Sequence, residues 1–326
     1  MRAGPENLIT DVPGLKIGNA EDIHAITGVT VVLPDAPAVA AADVRGGGPG
    51  TREIDVMDPA NLVEHIHAIC LSGGSAFGLE AAGGVMSRLA ASERGFAIGG
   101  FHVPIVPSAI LFDLMNGGDK AWGEDPPYRD LGKQATDNAS ATFELGNTGA
   151  GLGATAGPLK GGLGSASAVL DSGVTVGAIV AANPTGSVIM PDGKTFWAWD
   201  LEQDDEFGGN PPPMRKSDGT AAVANALPGA NTTIACVATD ATLSKGQAKR
   251  VATMAHDGFA RAIRPVHTPF DGDTVFCLST TRRPAPDPGG LSQIGAAAAD
   301  CLARAIARAV WEANDIGGMR SYRNSI

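Results

Sequence analysis

The feature that most constrains the fold is a set of short apolar, β-branched runs, each closed off by Gly, Pro or Asp. Thr27–Leu33, His67–Leu71, Val174–Ala182, Thr233–Thr239 and Thr274–Thr280 are all nine residues or shorter. Runs of that length and composition are expected to bury as strands. Helical segments lie between them. One is read over roughly Ser75–Ser92. A second starts at Ser244, where Ser-Lys-Gly-Gln is a capping box, and presents Ala248, Val251, Ala252, Ala255, Phe259 and Ala262 on one face. A third, roughly Ser292–Ala313, carries Ile294, Ala298, Cys301, Leu302, Ala305, Ile306, Ala309 and Val310 as a stripe. Faces built from such small residues suit close packing on a sheet.

The 44 Gly and 22 Pro among 326 residues are too many for a coiled coil or a helical array, and no Gly-X-Y period exists. With 44% apolar residues the chain is also too apolar to stay disordered. A compact, turn-dense globular protein remains, read as one domain over 1–326. Its charge is uneven. Residues 232–326 carry 11 basic against 8 acidic side chains, a net of +3, while residues 1–231 carry 13 against 27, a net of −14. A body this acidic repels phosphate, so no nucleic-acid partner is expected. The stretch Trp199–Asp218, acidic and containing Gly-Gly-Asn-Pro-Pro-Pro, reads as a mobile or solvent-exposed linker.

Cys70, Cys236, Cys277 and Cys301 are widely spaced. Cys70 and Cys277 lie in apolar runs, and the set reads as buried thiols of a reducing compartment rather than a disulfide frame. No basic stretch leads into an apolar core at the N-terminus, and no window approaches 18 apolar residues. A cytoplasmic protein without a membrane partner is expected. The six His provide no metal set, so they are read as packing residues, and no metal or other cofactor is expected.

Gly149-Ala-Gly-Leu-Gly-Ala matches a dinucleotide fingerprint, but Gly157, Pro158, Gly161, Gly162 and Gly164 follow at once. No helix can run from that loop to seat a pyrophosphate. Gly149–Ser167 is therefore read as a Gly-lined loop that lets something approach the backbone. Ser72-Gly-Gly-Ser-Ala-Phe-Gly lacks the second Gly of a nucleophile elbow. It reads as a helix N-terminus capped by Ser75, with Gly74 and Ser75 able to offer N–H groups to a substrate carboxylate. Asp271-Gly-Asp273 reads as a turn, as a fragment of a Ca²⁺ loop without its remainder, or as two carboxylates flanking a site, and on the residues alone the turn leads. In Gly229-Ala-Asn-Thr-Thr-Ile a strand opens on Thr just after a small-residue turn. N-terminal nucleophile hydrolases use this arrangement, cutting themselves before a Ser, Thr or Cys whose freed α-amine, with a pKa of about 8, serves as the base. An ordinary strand start is the competing reading and leads on these residues alone.

Taken together and in order, several segments resemble the DmpA-type L-aminopeptidase/D-amidase family, which includes β-peptidyl aminopeptidases and NylC-type 6-aminohexanoate-oligomer hydrolases. They are Asp43-Val-Arg-Gly-Gly-Gly-Pro-Gly-Thr-Arg-Glu, Ile69-Cys-Leu-Ser-Gly-Gly-Ser-Ala-Phe-Gly-Leu-Glu-Ala, Gly149–Ser167, Ala182-Asn-Pro, Asn231-Thr-Thr-Ile and His267–Thr274. The resemblance spans roughly residues 8–312. It implies an α+β fold, a four-layer αββα sandwich, made as one precursor and cut at Asn231–Thr232 into chains 1–231 and 232–326 that stay together. It makes Thr232 the nucleophile and Asn183 the oxyanion donor. Asp271 and Asp273 fall on the downstream acidic pair, Asp273 holding the Thr232 amine or hydroxyl and Asp271 bonding to it or to a substrate amine. The NylC-type lysine of Ala-Gly-Lys is replaced here by Pro158, which leaves Lys160 as its substitute. The implied partner is a small peptide or amide with a free amino group, and the implied assembly a tetramer of processed heterodimers. The alternatives are an acyl transferase of the ornithine acetyltransferase kind and a binding protein that is never processed.

Overall fold

The computed structural model describes residues 1–211 and 231–326. In chain order the strands are β1 (Leu15–Asp22), β2 (Thr27–Pro34), β3 (Val39–Val44), β4 (Thr51–Arg52), β5 (Ile69–Ser72), β6 (Phe96–Ile98) and β7 (Phe101–Val103). They continue with β8 (Ser108–Ile110), β9 (Thr155–Ala156), β10 (Leu159–Lys160), β11 (Gly162–Val169), β12 (Thr175–Ala182), β13 (Ile234–Ala241) and β14 (Thr274–Arg283). The helices are α1 (Glu80–Ala91), α2 (Tyr128–Asp137), α3 (Lys245–Ala262) and α4 (Pro288–Trp311). All five runs read as strands are strands, and each of the three segments read as helical contains a helix.

Two five-stranded sheets form the centre, ordered β1-β2-β5-β8-β4 and β11-β12-β13-β14-β3. Their facing sides share one core, where Ile17, Val32 and Leu71 of the first sheet meet Ile179, Ile234, Cys236 and Phe276 of the second. The alternate residues of β13, Ala235 and Val237, point the other way, into a core with the α3 and α4 stripes. A third core joins α1 and α2 to the outer side of the first sheet through Val29, Val31, Val85 and Leu131. The layers therefore run α, β, β, α, as the family resemblance implies. The strands are apolar on both sides because both sides are covered.

Ser244 caps α3 as expected: its Oγ accepts the Gln247 N–H at 3.3 Å, and Gln247 Oε1 accepts the Ser244 N–H at 2.9 Å. The final helix starts before Ser292. Asp287 caps it by accepting the Gly290 N–H at 2.7 Å, and Pro288 occupies the first turn, where a missing N–H costs nothing. All four Cys are buried and unpaired with one another. Burial pushes the thiols of Cys70, Cys277 and Cys301 up to about 12. No helix among the described residues is long and apolar enough to cross a membrane.

Two expectations are corrected. The segment Gly149–Ser167 is not one loop, because Gly162–Val169 is an edge strand of the second sheet. A Cβ on Gly162 would lie 2.3 Å from the Ala309 carbonyl oxygen, and one on Gly164 would lie 1.9 Å from that of Ala305. These glycines admit the backbone of α4, not a substrate. The described part of Trp199–Asp218 is also no free linker; residues 212–218 lie outside the described residues. Phe207 is buried edge-on against Phe196, 5.4 Å between ring centroids. Glu206 takes Arg304 in a bidentate pair, Nε at 2.5 Å and Nη2 at 3.0 Å. Acidity there serves a buried partner, a contact that local sequence cannot reveal. That pair spans the Asn231–Thr232 bond, as do the pairs Asp43–Lys249 at 2.7 Å and Glu206–Arg308 at 3.6 Å.

Candidate active site

Strand direction gathers the chemistry. In the second sheet β12 runs antiparallel to β13, β13 parallel to β14, and β14 antiparallel to β3. The end of β12, the starts of β13 and β14, and the end of β3 therefore lie along one margin, with Ala181, Ile234, Thr274 and Val44 side by side. Asn183, Thr232, Asp271-Gly-Asp273 and the glycine run after Val44 are the residues just beyond those ends.

Thr232 is only 2% exposed. Its N–H donates to the Asn183 carbonyl at 2.7 Å. Its Oγ1 accepts the Gly272 N–H at 3.0 Å and donates to the carbonyl oxygen of Asn231, the residue before it. The hydroxyl thus rests against its own preceding peptide group, with a backbone donor fixing it from the other side. A Cβ on Gly272 would lie 2.8 Å from that hydroxyl, so glycine is needed between the two aspartates.

The carboxylates do not touch Thr232, contrary to the contacts expected of them. Asp271 accepts the N–H and hydroxyl of Thr185, both at 3.0 Å, with one oxygen, and the N–H and hydroxyl of Thr268 with the other. It ties the turn after β12 to the loop before β14. Asp273 accepts the Thr233 N–H at 2.9 Å on Oδ1, and the His267 N–H at 3.2 Å and ring Nδ1 at 2.7 Å on Oδ2. Burial raises the Asp273 carboxyl above the usual range, opposed by the bond from His267. The glycine run clamps this loop from outside. Arg45 N–H donates to the Asp273 carbonyl at 3.0 Å and Gly48 N–H to that of Asp271 at 2.8 Å. A Cβ on Gly46 would sit 2.3 Å from the Asp273 nitrogen.

The Asn183 side chain is held at both ends. Its Nδ2 donates to the Phe112 carbonyl at 3.1 Å, and its Oδ1 accepts the Thr155 N–H at 2.8 Å and hydroxyl at 3.3 Å. One amide hydrogen is left for another acceptor. Lys160 pairs opposite Thr155 in the β9–β10 hairpin and is fully buried. Its ammonium donates to the carbonyls of Gly151 at 3.0 Å, Ala154 at 3.0 Å and Gly161 at 2.8 Å. Burial pushes its pKa down to about 7, opposed by the charge of Asp113. Three acceptors match the three donors of an ammonium, so Lys160 braces the loop that presents Thr155 to Asn183.

Gly74 and Ser75 correct the expectation placed on them. Gly74, at φ +85°, donates its N–H to Asp113 Oδ1 at 2.8 Å, and Ser75 donates to the Leu111 carbonyl at 2.9 Å. Both donors are spent inside the protein, and Ser75 does not cap the helix. Sequence reading missed Thr155, Thr185 and His267 as parts of the site. A loop Thr carries no distinguishing signal. His267, six residues before Asp273 and inside the same motif, was within reach. His256, read as packing, does pack: it is buried edge-on against Phe259 and His267, with ring centroids 5.3 and 4.9 Å apart. Among the described residues no three His, Cys, Asp or Glu converge as a metal set. Gly149–Gly151 forms one 3₁₀ turn followed by β9, so no helix N-terminus faces a pyrophosphate there.

A family model described as Peptidase family S58 matches residues 7–323. Over 99% of its length the chain is 44% identical to a protein of Mycobacterium leprae named an uncharacterized aminopeptidase, covering 95% of that protein. It is 31% identical, over 89% of its length, to a 6-aminohexanoate-oligomer endohydrolase of a Kocuria species, covering 79% of that relative. The solved L-aminopeptidase D-Ala-esterase/amidase of Ochrobactrum anthropi, described as a variant of the Ntn hydrolase fold, superposes with a TM-score of 0.72. That match covers 97% of this chain and 89% of the other at 24% identity, and it bears on the fold.

Proposed function

The chain belongs to Peptidase family S58 and is a hydrolase of amide bonds, and from that premise we propose that Thr232 is its nucleophile, released by self-cleavage of the Asn231–Thr232 bond. The observation that carries this reading is the Thr232 hydroxyl, bonded to the Asn231 carbonyl and held by the Gly272 N–H. Attack of Oγ1 on the Asn231 carbonyl carbon breaks the C–N bond and leaves an ester. Water then hydrolyses the ester, giving an Asn231 carboxylate and a free Thr232 amine. Chains 1–231 and 232–326 stay joined, because β12–β13 and β3–β14 pair across the cut and the Glu206–Arg304 bridge spans it.

In turnover the Thr232 amine, whose nitrogen as a peptide N–H of the uncut chain lies 2.7 Å from the Asn183 carbonyl, takes the proton of its own hydroxyl. The hydroxyl oxygen attacks a substrate amide. The remaining Asn183 amide hydrogen is the donor for the developing oxyanion, while the Gly272 N–H stays on the Thr232 oxygen. Asp271 and Asp273 shape the two loops rather than contact the nucleophile, and Lys160 fixes Asn183 through Thr155. An acidic body suits a substrate carrying a free amino group, either a peptide N-terminus or an ω-amino-acid oligomer.

Intact mass under denaturing conditions tests the cut. The expected products are fragments of about 23 and 10 kDa from the 33.0 kDa chain, the smaller beginning at Thr232. Thr232→Ala should stay whole and hydrolyse no amino-acid p-nitroanilide, β-peptide or 6-aminohexanoate oligomer. A wild-type chain that stays whole after long incubation, indistinguishable from Thr232→Ala, sinks the reading.

A further inference from the structure

His267 stands out among the groups that the proposed chemistry leaves unused. Its backbone adopts φ +53°, a left-handed conformation uncommon for a residue with a side chain. That conformation turns its N–H and its ring Nδ1 toward the same carboxylate oxygen, Asp273 Oδ2, at 3.2 and 2.7 Å. The carboxylate is almost completely shut off from water, so its two oxygens depend on these donors and on the Thr233 N–H. Thr233 directly follows the proposed nucleophile. A line of short contacts therefore runs from the imidazole through Asp273 to the first residue after Thr232. The ring also packs on α3, against Phe259 at 5.8 Å and His256 at 4.9 Å between centroids. Burial pushes His256 down to about 4, so it stays neutral there and does not repel the neighbouring ring.

We propose that His267 is a positioning residue: its Nδ1–H fixes Asp273, and Asp273 fixes the Thr233 N–H, so that the Thr232 hydroxyl stays on the Gly272 donor during self-cleavage and turnover. This rests on Thr232 being the nucleophile. The role belongs to one atom, because the carboxylate selects the tautomer with the proton on Nδ1. An Asn side chain places its Nδ2–H where Nδ1–H lies and tolerates a left-handed backbone, whereas Gln carries its amide one bond further out, nearer the Nε2 position.

The test compares self-cleavage by intact mass, and kcat and KM on a p-nitroanilide, for wild type, His267→Ala, His267→Gln and His267→Asn, with thermal unfolding recorded for each. Displacing a reacting group by about an ångström costs on the order of a hundredfold. His267→Ala and His267→Gln are expected to cut about a hundredfold more slowly and, once cut, to lose kcat with little change in KM. His267→Asn is expected to recover to within about tenfold of wild type. Should His267→Ala fail to fold, the Asn and Gln variants decide. Equal rates for Asn and Gln, or a folded Ala variant at the wild-type rate, overturn the positioning role alone. A wild type that never cuts, or a Thr232→Ala chain that does, overturns the nucleophile and this role together.

Discussion

Each sheet contains a parallel pair of strands, and the two pairs use their ends in opposite ways. In the second sheet the starts of β13 and β14 lie together, and the N–H of Gly272 faces the Thr232 hydroxyl. In the first sheet the ends of β5 and β8 lie together, Ser72 beside Ile110. There Gly73 donates to the Gly28 carbonyl at 2.9 Å, Gly74 to Asp113, and Ser75 to the Leu111 carbonyl. Every one of those donors is used up. The loop beyond β8 still reaches the site, because the Phe112 carbonyl holds the Asn183 amide. One pair of ends thus carries the proposed chemistry, and the other forms a wall against which it is aligned. Glycine-rich turns at strand ends look alike in sequence, and only the destination of their N–H groups separates them.

The bridge between the pairs gives the largest expected effect. Asn183→Ala should lower the turnover of a processed enzyme by a hundredfold to a thousandfold, about 3 kcal/mol of barrier, in excess of any loss of stability. Equal effects on rate and stability would reduce Asn183 to a structural brace. Gly74→Ala should behave in the opposite sense. Its Cβ would meet the Tyr128 ring at 2.1 Å in a left-handed backbone, costing about 2 kcal/mol of stability. The folded fraction should keep its kcat/KM. A large loss of kcat/KM at full folding would return Gly74 to substrate binding and break the comparison.

The smallest effect concerns the groups behind the site. His256 has a folded pKa of about 4, below the ordinary imidazole value of 6.5, because burial disfavours its charge. The unfolded chain therefore takes up this proton first, and stability falls as pH drops from about 6.5 toward 4. Between pH 7 and about 5.5 the loss should be about 1 kcal/mol, read from denaturant midpoints. His256→Gln should flatten that part of the profile. Asp273, raised by burial, contributes with the opposite sign, so the difference between wild type and variant isolates His256.

Much of the architecture was legible locally. Buried strands such as β12 and β13 are continuous apolar runs, and the capping box of α3 satisfies its donors wherever the helix packs. The residues flanking those strands, Asn183, Thr232, Asp271 and Asp273, were singled out by the family resemblance; on the residues alone Thr232 reads as a strand start and Asp271-Gly-Asp273 as a turn. Strand β11 was hidden because a glycine chosen for helix packing is indistinguishable from one chosen for a loop. Glu206 was hidden because its partner Arg304 lies 98 residues away. The parts given to the carboxylates changed as well, from contacts on Thr232 to bonds with Thr185, Thr268, Thr233 and His267.

By itself, then, the sequence determined which segments would be buried, where the chain must turn, and which residue types stand at those turns. Local periodicity and backbone sterics act within a few residues and need no partner. The tertiary structure alone decided which turns meet. Strand pairing is non-local, and β14 takes as its neighbours both β13 and β3, the latter from the far end of the chain. Only that pairing order sets Gly272 against Thr232, leaves the Gly74 donor to Asp113, and gives two similar glycine turns different roles.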